Sequence, residues 1–206
     1  MAPSAPSLSP AVFFDRDDTL IACRSMVADG DLGDAALVQL LPGAAAACRA
    51  LREAGYRLFV FSNQGGVARG KYGLAEVEAV NARLNDLLGG LVDDFRVCPW
   101  HPQGTVPEFT REHPWRKPAP GMILDAAAAH GVDLSRSWVV GDAERDCRAG
   151  KGAGLHGRTI LLTNPDPDLE PCHLHGMAEA PDVADYLAPD LLAAASIILA
   201  GQRAHA

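Results

Sequence analysis

Apolar residues along this chain follow two patterns: short, nearly unbroken runs, and stretches in which they recur every three or four positions. Ala11-Val12-Phe13-Phe14, Leu58-Phe59-Val60-Phe61, Trp138-Val139-Val140 and Thr159-Ile160-Leu161-Leu162 are of the first kind, and Phe95-Arg96-Val97-Cys98 is a weaker one interrupted by a charge. Runs without polar alternation predict strands buried on both faces, the condition of a parallel sheet. Between them Ala44, Ala47, Cys48, Leu51 and Ala54 share one helical stripe that opens after Pro42-Gly43 and stops at Gly55. Val77, Val80, Leu84, Leu87 and Leu88 repeat that spacing up to Gly89-Gly90, and a further helix follows Pro120 and runs to about His130. Alternating strands and helices predict an α/β fold: a three-layer, doubly wound parallel sheet over residues 11–165 with no large cap domain. Residues 1–10 are expected as a flexible leader. Residues 166–206 are expected as a partly helical C-terminal extension, helical from about Val183 and packed on the domain or on a partner. Its apolar stretch from Leu191 to Ala200 is too short to span a bilayer.

The polar residues that follow these strands are not ordinary turn formers. Asp15, Asp17 and Asp18 crowd the end of the first run, and in open α/β sheets ligands collect beyond the carboxyl ends of the strands. Crowded acids repel unless a cation, a proton or a hydrogen-bond network offsets them, so the acids point to a magnesium site with a reactive aspartate. The second run leads into Ser62-Asn63-Gln64-Gly65-Gly66, where glycines permit close approach of the backbone and side chains offer a hydroxyl and amides. Arg116 and Lys117 precede the proline-opened helix as a candidate anion clamp, and Asp142 ends the fourth run with Asp146 one helical turn beyond. Glu144 and Arg145, between them, are taken as cap or surface charges. Four such coincidences supply what phosphoryl transfer needs: a carboxylate nucleophile, a second carboxylate for protons, a divalent ion, and donors for the phosphoryl oxygens.

Composition narrows the partners. The 206 residues carry a formal net charge of −8, which argues against nucleic acid or anionic membrane as a ligand and requires any phosphate to meet local cations. Five scattered cysteines with no CxxC suit reduced thiols in a cytosol. The expected partner is a small phosphorylated metabolite, the expected location cytoplasmic, and the expected state a monomer or weak homo-oligomer.

Asp15-x-Asp17-x-Thr19, Ser62-Asn63, Lys117 and Gly141-Asp142-x-x-x-Asp146 stand in the order of the four motifs of the haloacid dehalogenase (HAD) superfamily phosphatases. Within it, Ser62–Gly70, Gly104–Phe109 and Arg116-Lys117-Pro118-x-Pro120-Gly121-Met122 resemble the D-glycero-D-manno-heptose 1,7-bisphosphate phosphatases and their histidinol-phosphatase relatives, over about residues 11 to 163. The resemblance implies that Asp15 attacks phosphorus to form an aspartyl phosphate, and that Asp17 protonates the leaving oxygen and then activates water. It further implies magnesium held by Asp15, the Asp17 backbone carbonyl and Asp142, with Asp146 supporting that shell. Ser62 and Lys117 would steady the phosphoryl group, Asn63 and Gln64 would lie alongside, and Arg116 would recognise substrate. Arg24 and Arg69 complete the candidate substrate contacts.

Three departures from the family pattern bear on this expectation. Asp18 stands where the family usually has glycine, adding a charge near the nucleophile. Related phosphatases carry a zinc loop, Cys-x-His then Cys-x-Cys, where this chain has Cys98-x-Trp100 and His113-x-Trp115, so zinc is not expected and Trp100, Pro114 and Trp115 are expected to pack that loop apolarly. Cys172, His173 and His175 resemble a metal cluster but lack a fourth ligand nearby. Ala143 stands where the heptose enzymes often have lysine, which leaves histidinol phosphate as a rival substrate. From other classes, a phospho-acceptor switch and a binding module silenced by Asp18 remain open.

Overall fold

The computed structural model describes residues 8–169 and 183–203. Six strands form one sheet: β1 (Ala11–Phe14), β2 (Arg57–Asn63), β3 (Asp94–Cys98), β4 (Trp138–Gly141), β5 (Thr159–Leu162) and β6 (Tyr186–Ala188). Their order is β3-β2-β1-β4-β5-β6, and every neighbouring pair runs parallel. The helices are α1 (Ala44–Glu53), α2 (Gly65–Ala68), α3 (Leu74–Leu87), α4 (Gly121–His130), α5 (Glu144–Gly152) and α6 (Leu191–Arg203).

Because strand side chains alternate between faces, the apolar runs feed two separate cores. Val12, Phe14, Leu58 and Val60 face α1, α3 and α6 through Ala47, Leu51, Val80, Leu84, Ala194 and Ile198. Ala11, Phe13, Phe59 and Phe61 face the other side, against Met122, Ile123 and Ala126 of α4 and Ala149 of α5. These are the three expected layers. Chain order reverses at β1, so the crossovers after β1 and β4 leave on opposite faces and open a crevice between the carboxyl ends of the two strands.

Two elements differ from the sequence expectation. The Gly65–Ala68 segment, expected as loop, is a single helical turn, which no periodicity argument can detect at four residues. The tail, expected to be helical from Val183, first forms β6 beside β5, with Tyr186 opposite Ile160 and Ala188 opposite Leu162. Three residues on a sheet edge leave too short a pattern to distinguish from a helix start. Residues 183–203 therefore belong to the sheet and core of the main domain: Leu191, Ala194, Ala195 and Ile198 are buried in the same cluster as Ala44, Ala47 and Leu51 of α1. Gly43 makes that contact possible, since its φ is +80° and a Cβ there would lie 2.7 Å from Leu192 Cγ. Cys172, His173 and His175, like the first seven residues, lie outside the described residues.

Truncating Ile198, which is fully buried, to alanine is expected to cost about 2–5 kcal/mol. Leu192→Ala, at a side chain 49% exposed, is expected to cost clearly less. Chemical denaturation of the two variants checks this, and equal costs would remove the tail from the cooperative core.

Candidate active site

The site begins with the register of β1 against β4. Asp15, the first residue beyond β1, donates its backbone N–H to Val140 O at 3.0 Å, which fixes its side chain beside the end of β4. The carboxylate oxygens of Asp15, Asp142 and Asp146 lie within 4.8 Å of one another, and all three residues are buried. Three acids so placed would repel strongly in a medium of low polarity. Lys117 offsets part of that charge: its Nζ lies 2.8 Å from Asp15 Oδ1 and 2.8 Å from Asp146 Oδ1, and it donates to Phe61 O at 3.0 Å. Burial opposes the Lys117 charge, but Asp146 and Asp15 outweigh it and hold the ammonium above the usual lysine range. Burial, then repulsion from Asp146 and Asp15, pushes the Asp142 carboxyl well above the usual range. Asp146 is likewise raised by burial, against the opposing pull of Lys117. Asp142 Oδ1 is buried without a hydrogen-bond partner, although its other oxygen accepts from Arg24 Nη2 at 2.7 Å. An orphaned carboxylate oxygen inside an acidic triad is what an oxygen-seeking divalent cation fits.

The amides after β2 act on other protein groups. Asn63 Oδ1 accepts from Lys117 N at 3.0 Å and its Nδ2 donates to Lys117 O at 3.2 Å, so this side chain clamps the lysine backbone. Gln64 is buried; its Nε2 donates to Asp17 Oδ2 at 2.7 Å and to Ser62 Oγ at 2.8 Å, while Tyr72 donates to its Oε1 at 2.9 Å. Both are candidate substrate contacts, and their amides also hold Lys117, Asp17 and Ser62. Asp17 points its carboxylate away from the triad, toward Arg16 Nε at 2.9 Å and Gln64. Burial raises the Asp17 carboxyl and the Arg16 charge opposes the rise. Arg16 is completely buried, and its guanidinium also donates to Asn81 Oδ1 and Leu32 O. Its role could not be inferred from sequence, where it is one undistinguished residue between two motif aspartates.

Asp18 adopts φ +52°, the left-handed region that glycine favours. Its carboxylate turns back into its own loop, accepting from Cys23 N and Arg24 N at 3.0 Å each and pairing with Arg24 Nε. The added charge is thus neutralised by Arg24 and local amides, and the loop keeps its shape. Arg24 thereby links Asp18 to Asp142. Arg69 pairs with Asp31, and Ser25 donates to Asp166 Oδ2 at 2.6 Å.

Arg116 and Arg145 each adjoin a motif residue in the chain. Half-buried Arg116 donates to Trp100 O at 3.3 Å and has no ion pair among the described residues. Burial lowers its affinity for its proton, and the charges of Arg145 and Arg69 add to that. Arg145, expected to be a plain surface charge, is exposed in the first turn of α5. The fields of Asp146, Asp15 and Asp142 nevertheless reach it and overcome desolvation to raise its basicity.

The segment that carries Cys98, Trp100, His113 and Trp115 is packed by rings. Trp100 and His113 stack at 3.7 Å between centroids, Arg111 lies 4.9 Å over Trp100, and both Trp100 and Trp115 lean on the second core. The donors that could hold a metal are engaged: His113 Nδ1 accepts from Trp115 N, His101 Nδ1 accepts from Gln103 N, and Cys98 Sγ approaches Trp100 O. Elemental analysis of purified protein should therefore find zinc far below one equivalent. A full equivalent removable only by denaturation would contradict this packing.

Comparison with known proteins gives the same direction. A family model described as HAD-hydrolase-like matches residues 114–194. The D-glycero-beta-D-manno-heptose-1,7-bisphosphate 7-phosphatase of Rhodopseudomonas palustris is 41% identical over 160 residues, covering 76% of this chain and 86% of that one. The D-glycero-D-manno-heptose-1,7-bisphosphate 7-phosphatase of Thermosynechococcus vestitus is 38% identical over 192 residues, covering 90% and 93%. Among solved structures, the D,D-heptose 1,7-bisphosphate phosphatase of B. bronchiseptica, complexed with magnesium and phosphate, superposes with a TM-score of 0.75 at 26% identity, covering 93% and 99%. With this fold and this degree of identity to whole relatives, the chain belongs to the HAD-like phosphatases, in the family of the heptose-1,7-bisphosphate 7-phosphatases.

Proposed function

We propose that the protein is a magnesium-dependent phosphomonoesterase that works through an aspartyl phosphate on Asp15 and removes the C7 phosphate of D-glycero-D-manno-heptose 1,7-bisphosphate. The observation that carries this is the meeting of the Asp15, Asp142 and Asp146 carboxylates with the Lys117 ammonium at the ends of β1 and β4. Magnesium would be held by Asp15, the Asp17 carbonyl and Asp142, supported by Asp146, and would supply positive charge against the phosphoryl oxygens.

Geometry selects the attacking atom. Asp15 Oδ1 already accepts from Arg16 N at 2.6 Å and faces Lys117 Nζ, so Oδ2 is the oxygen left to bond phosphorus. Attack breaks the bond from phosphorus to the sugar oxygen, and that oxygen takes a proton from the Asp17 carboxyl. Asp17, now a carboxylate, takes a proton from a water whose oxygen attacks phosphorus, releasing inorganic phosphate and restoring Asp15. A carboxyl raised by burial suits both duties, since it can hold a proton for donation and recover one from water. Gln64 and Arg16 set where Asp17 waits, and Asn63 sets where Lys117 stands. Ser62 and Lys117 orient the transferring group.

The ligand is read as a small phosphorylated metabolite, with no nucleic-acid or membrane partner, handled by a monomer or weak homo-oligomer. Cytoplasmic placement is supported by four buried free thiols, Cys23, Cys48, Cys98 and Cys147. Among the described residues no helix is long and apolar enough to cross a membrane.

Asp15→Asn is expected to lower kcat by at least about a thousand-fold on any accepted phosphate ester, since it removes the nucleophile. A panel of heptose bisphosphate, histidinol phosphate and an aryl phosphate, assayed with magnesium, tests the reading: absence of hydrolysis across it would sink the enzyme assignment, and a preference for histidinol phosphate would sink the substrate. The metal has an independent readout. With Asp142 and Asp146 raised in the folded state, the metal-free fold favours their protonated forms, so this contribution to stability is complete below the ordinary carboxylate range and is lost as pH climbs through the raised values. A bound divalent cation relieves that loss. Magnesium should therefore raise Tm more at about pH 8 than at about pH 5 by calorimetry, and identical shifts would speak against the site.

A further inference from the structure

The carboxylate of Asp17 is held by an amide, and the amide by a phenol. Gln64 is buried, and its Nε2 donates to Asp17 Oδ2 at 2.7 Å and to Ser62 Oγ at 2.8 Å. A glutamine amide has a donor at one end and an acceptor at the other, so reversing it would set Oε1 against the Asp17 carboxylate. The Tyr72 hydroxyl opposes that reversal by donating to Oε1 at 2.9 Å. Burial, against the opposing pull of Arg16, holds this hydroxyl above the usual tyrosine range, so it keeps its proton and stays a donor.

The place of the ring is built into the chain. Tyr72 lies between Gly33, in the loop after the first motif, and Gly66 of α2. A Cβ on Gly33 would overlap Tyr72 Cγ and Cδ1, and one on Gly66 would overlap Cε1 and Cζ. Neither glycine has a positive φ, so neither backbone needs glycine for its conformation. The ring takes the space that their missing side chains leave. The first loop and the turn after β2 thus close on one phenol whose hydroxyl is aimed at Gln64.

We propose that Tyr72 is a positioning residue for the proton transfer: its hydroxyl fixes which end of the Gln64 amide faces Asp17. This rests on the phosphatase reading above, in which Asp17 serves the leaving oxygen, and deepens it. Without the hydroxyl, Oε1 loses its donor in a buried site and the amide loses what sets its direction. Asp17 then loses the fixed start from which it reaches the leaving oxygen.

The test is a double-variant cycle. It is run on the alkyl phosphate of the panel above that turns over best, and on p-nitrophenyl phosphate, whose leaving anion is stable without a proton. Tyr72→Phe keeps the ring between its glycines and removes the hydroxyl alone, so it should unfold as cooperatively as the wild type. It should lower kcat/KM about ten-fold on the alkyl ester, carried by kcat with KM within about two-fold, and less than about two-fold on the aryl ester. Gln64→Met, similar in volume but without the amide, should lose at least as much on the alkyl ester, and adding Tyr72→Phe to it should change nothing further. Equal losses on the two esters, an unchanged Tyr72→Phe, losses that multiply in the double variant, or a Tyr72→Phe that no longer unfolds cooperatively would overturn this role while leaving the phosphatase assignment standing. Turnover of the aryl ester alone would overturn it too, since no leaving oxygen would then need the proton. A wild type that hydrolyses neither ester would overturn the assignment itself, and this role with it.

Discussion

The structure depends on one buried ammonium. Lys117 Nζ lies 2.8 Å from one oxygen each of Asp15 and Asp146 and donates to Phe61 O, so its charge is directed at the floor of the site. Removing one partner of such a buried network leaves an uncompensated charge, a change that costs about 3–5 kcal/mol in comparable settings. The lysine is held from both sides: Asn63 grips its backbone, and the ring of Phe61 lies 4.4 Å from its Nζ. Without that cation, the strand ends, paired through their backbones and packed by both cores, would bring three mutually repelling acids together with less to offset them.

Topology makes the meeting possible. The sheet order places β1 between β2 and β4, so residues just beyond three strands converge although they are separated by up to about 130 positions in the chain. Asp15 follows β1, Ser62 and Asn63 end β2, and Asp142 follows β4. A second layer then holds the first. Arg16 and Gln64 position Asp17, Tyr72 positions Gln64, and Arg24 joins the first acidic loop to the fourth strand through Asp18 and Asp142. This layer is where the chain departs from its family's pattern and compensates for the departure. Asp18 occupies a backbone position suited to glycine, yet its carboxylate satisfies two amides and a guanidinium. The rings of Trp100, His113 and Trp115 likewise hold their loop by stacking and edge contacts.

Much of this was legible in the chain because it is encoded locally. Runs such as Leu58–Phe61 are apolar at every position, and that pattern survives only in a strand covered on both faces. The motif acids were legible for a similar reason: Asp15, Asp142 and Asp146 sit at fixed offsets from those runs, and crowded carboxylates need a cation, a proton or a hydrogen-bond network to offset them. The sixth strand escaped because three residues at a sheet edge have too little periodicity to register, and because what makes them a strand is pairing with β5.

The sequence by itself determined the layered parallel sheet and which acids and which lysine stand just beyond strand ends or at the turn before a helix, since each follows from spacing along the chain. Only the tertiary structure decided what each polar side chain is for. Asn63 and Gln64 hold Lys117, Asp17 and Ser62, Asp18 bonds within its own loop, and Arg145 is exposed in the first turn of α5. The physical reason is that a hydrogen bond or ion pair depends on distance in space, and distances across a sheet are set by register and crossover, which no local pattern records.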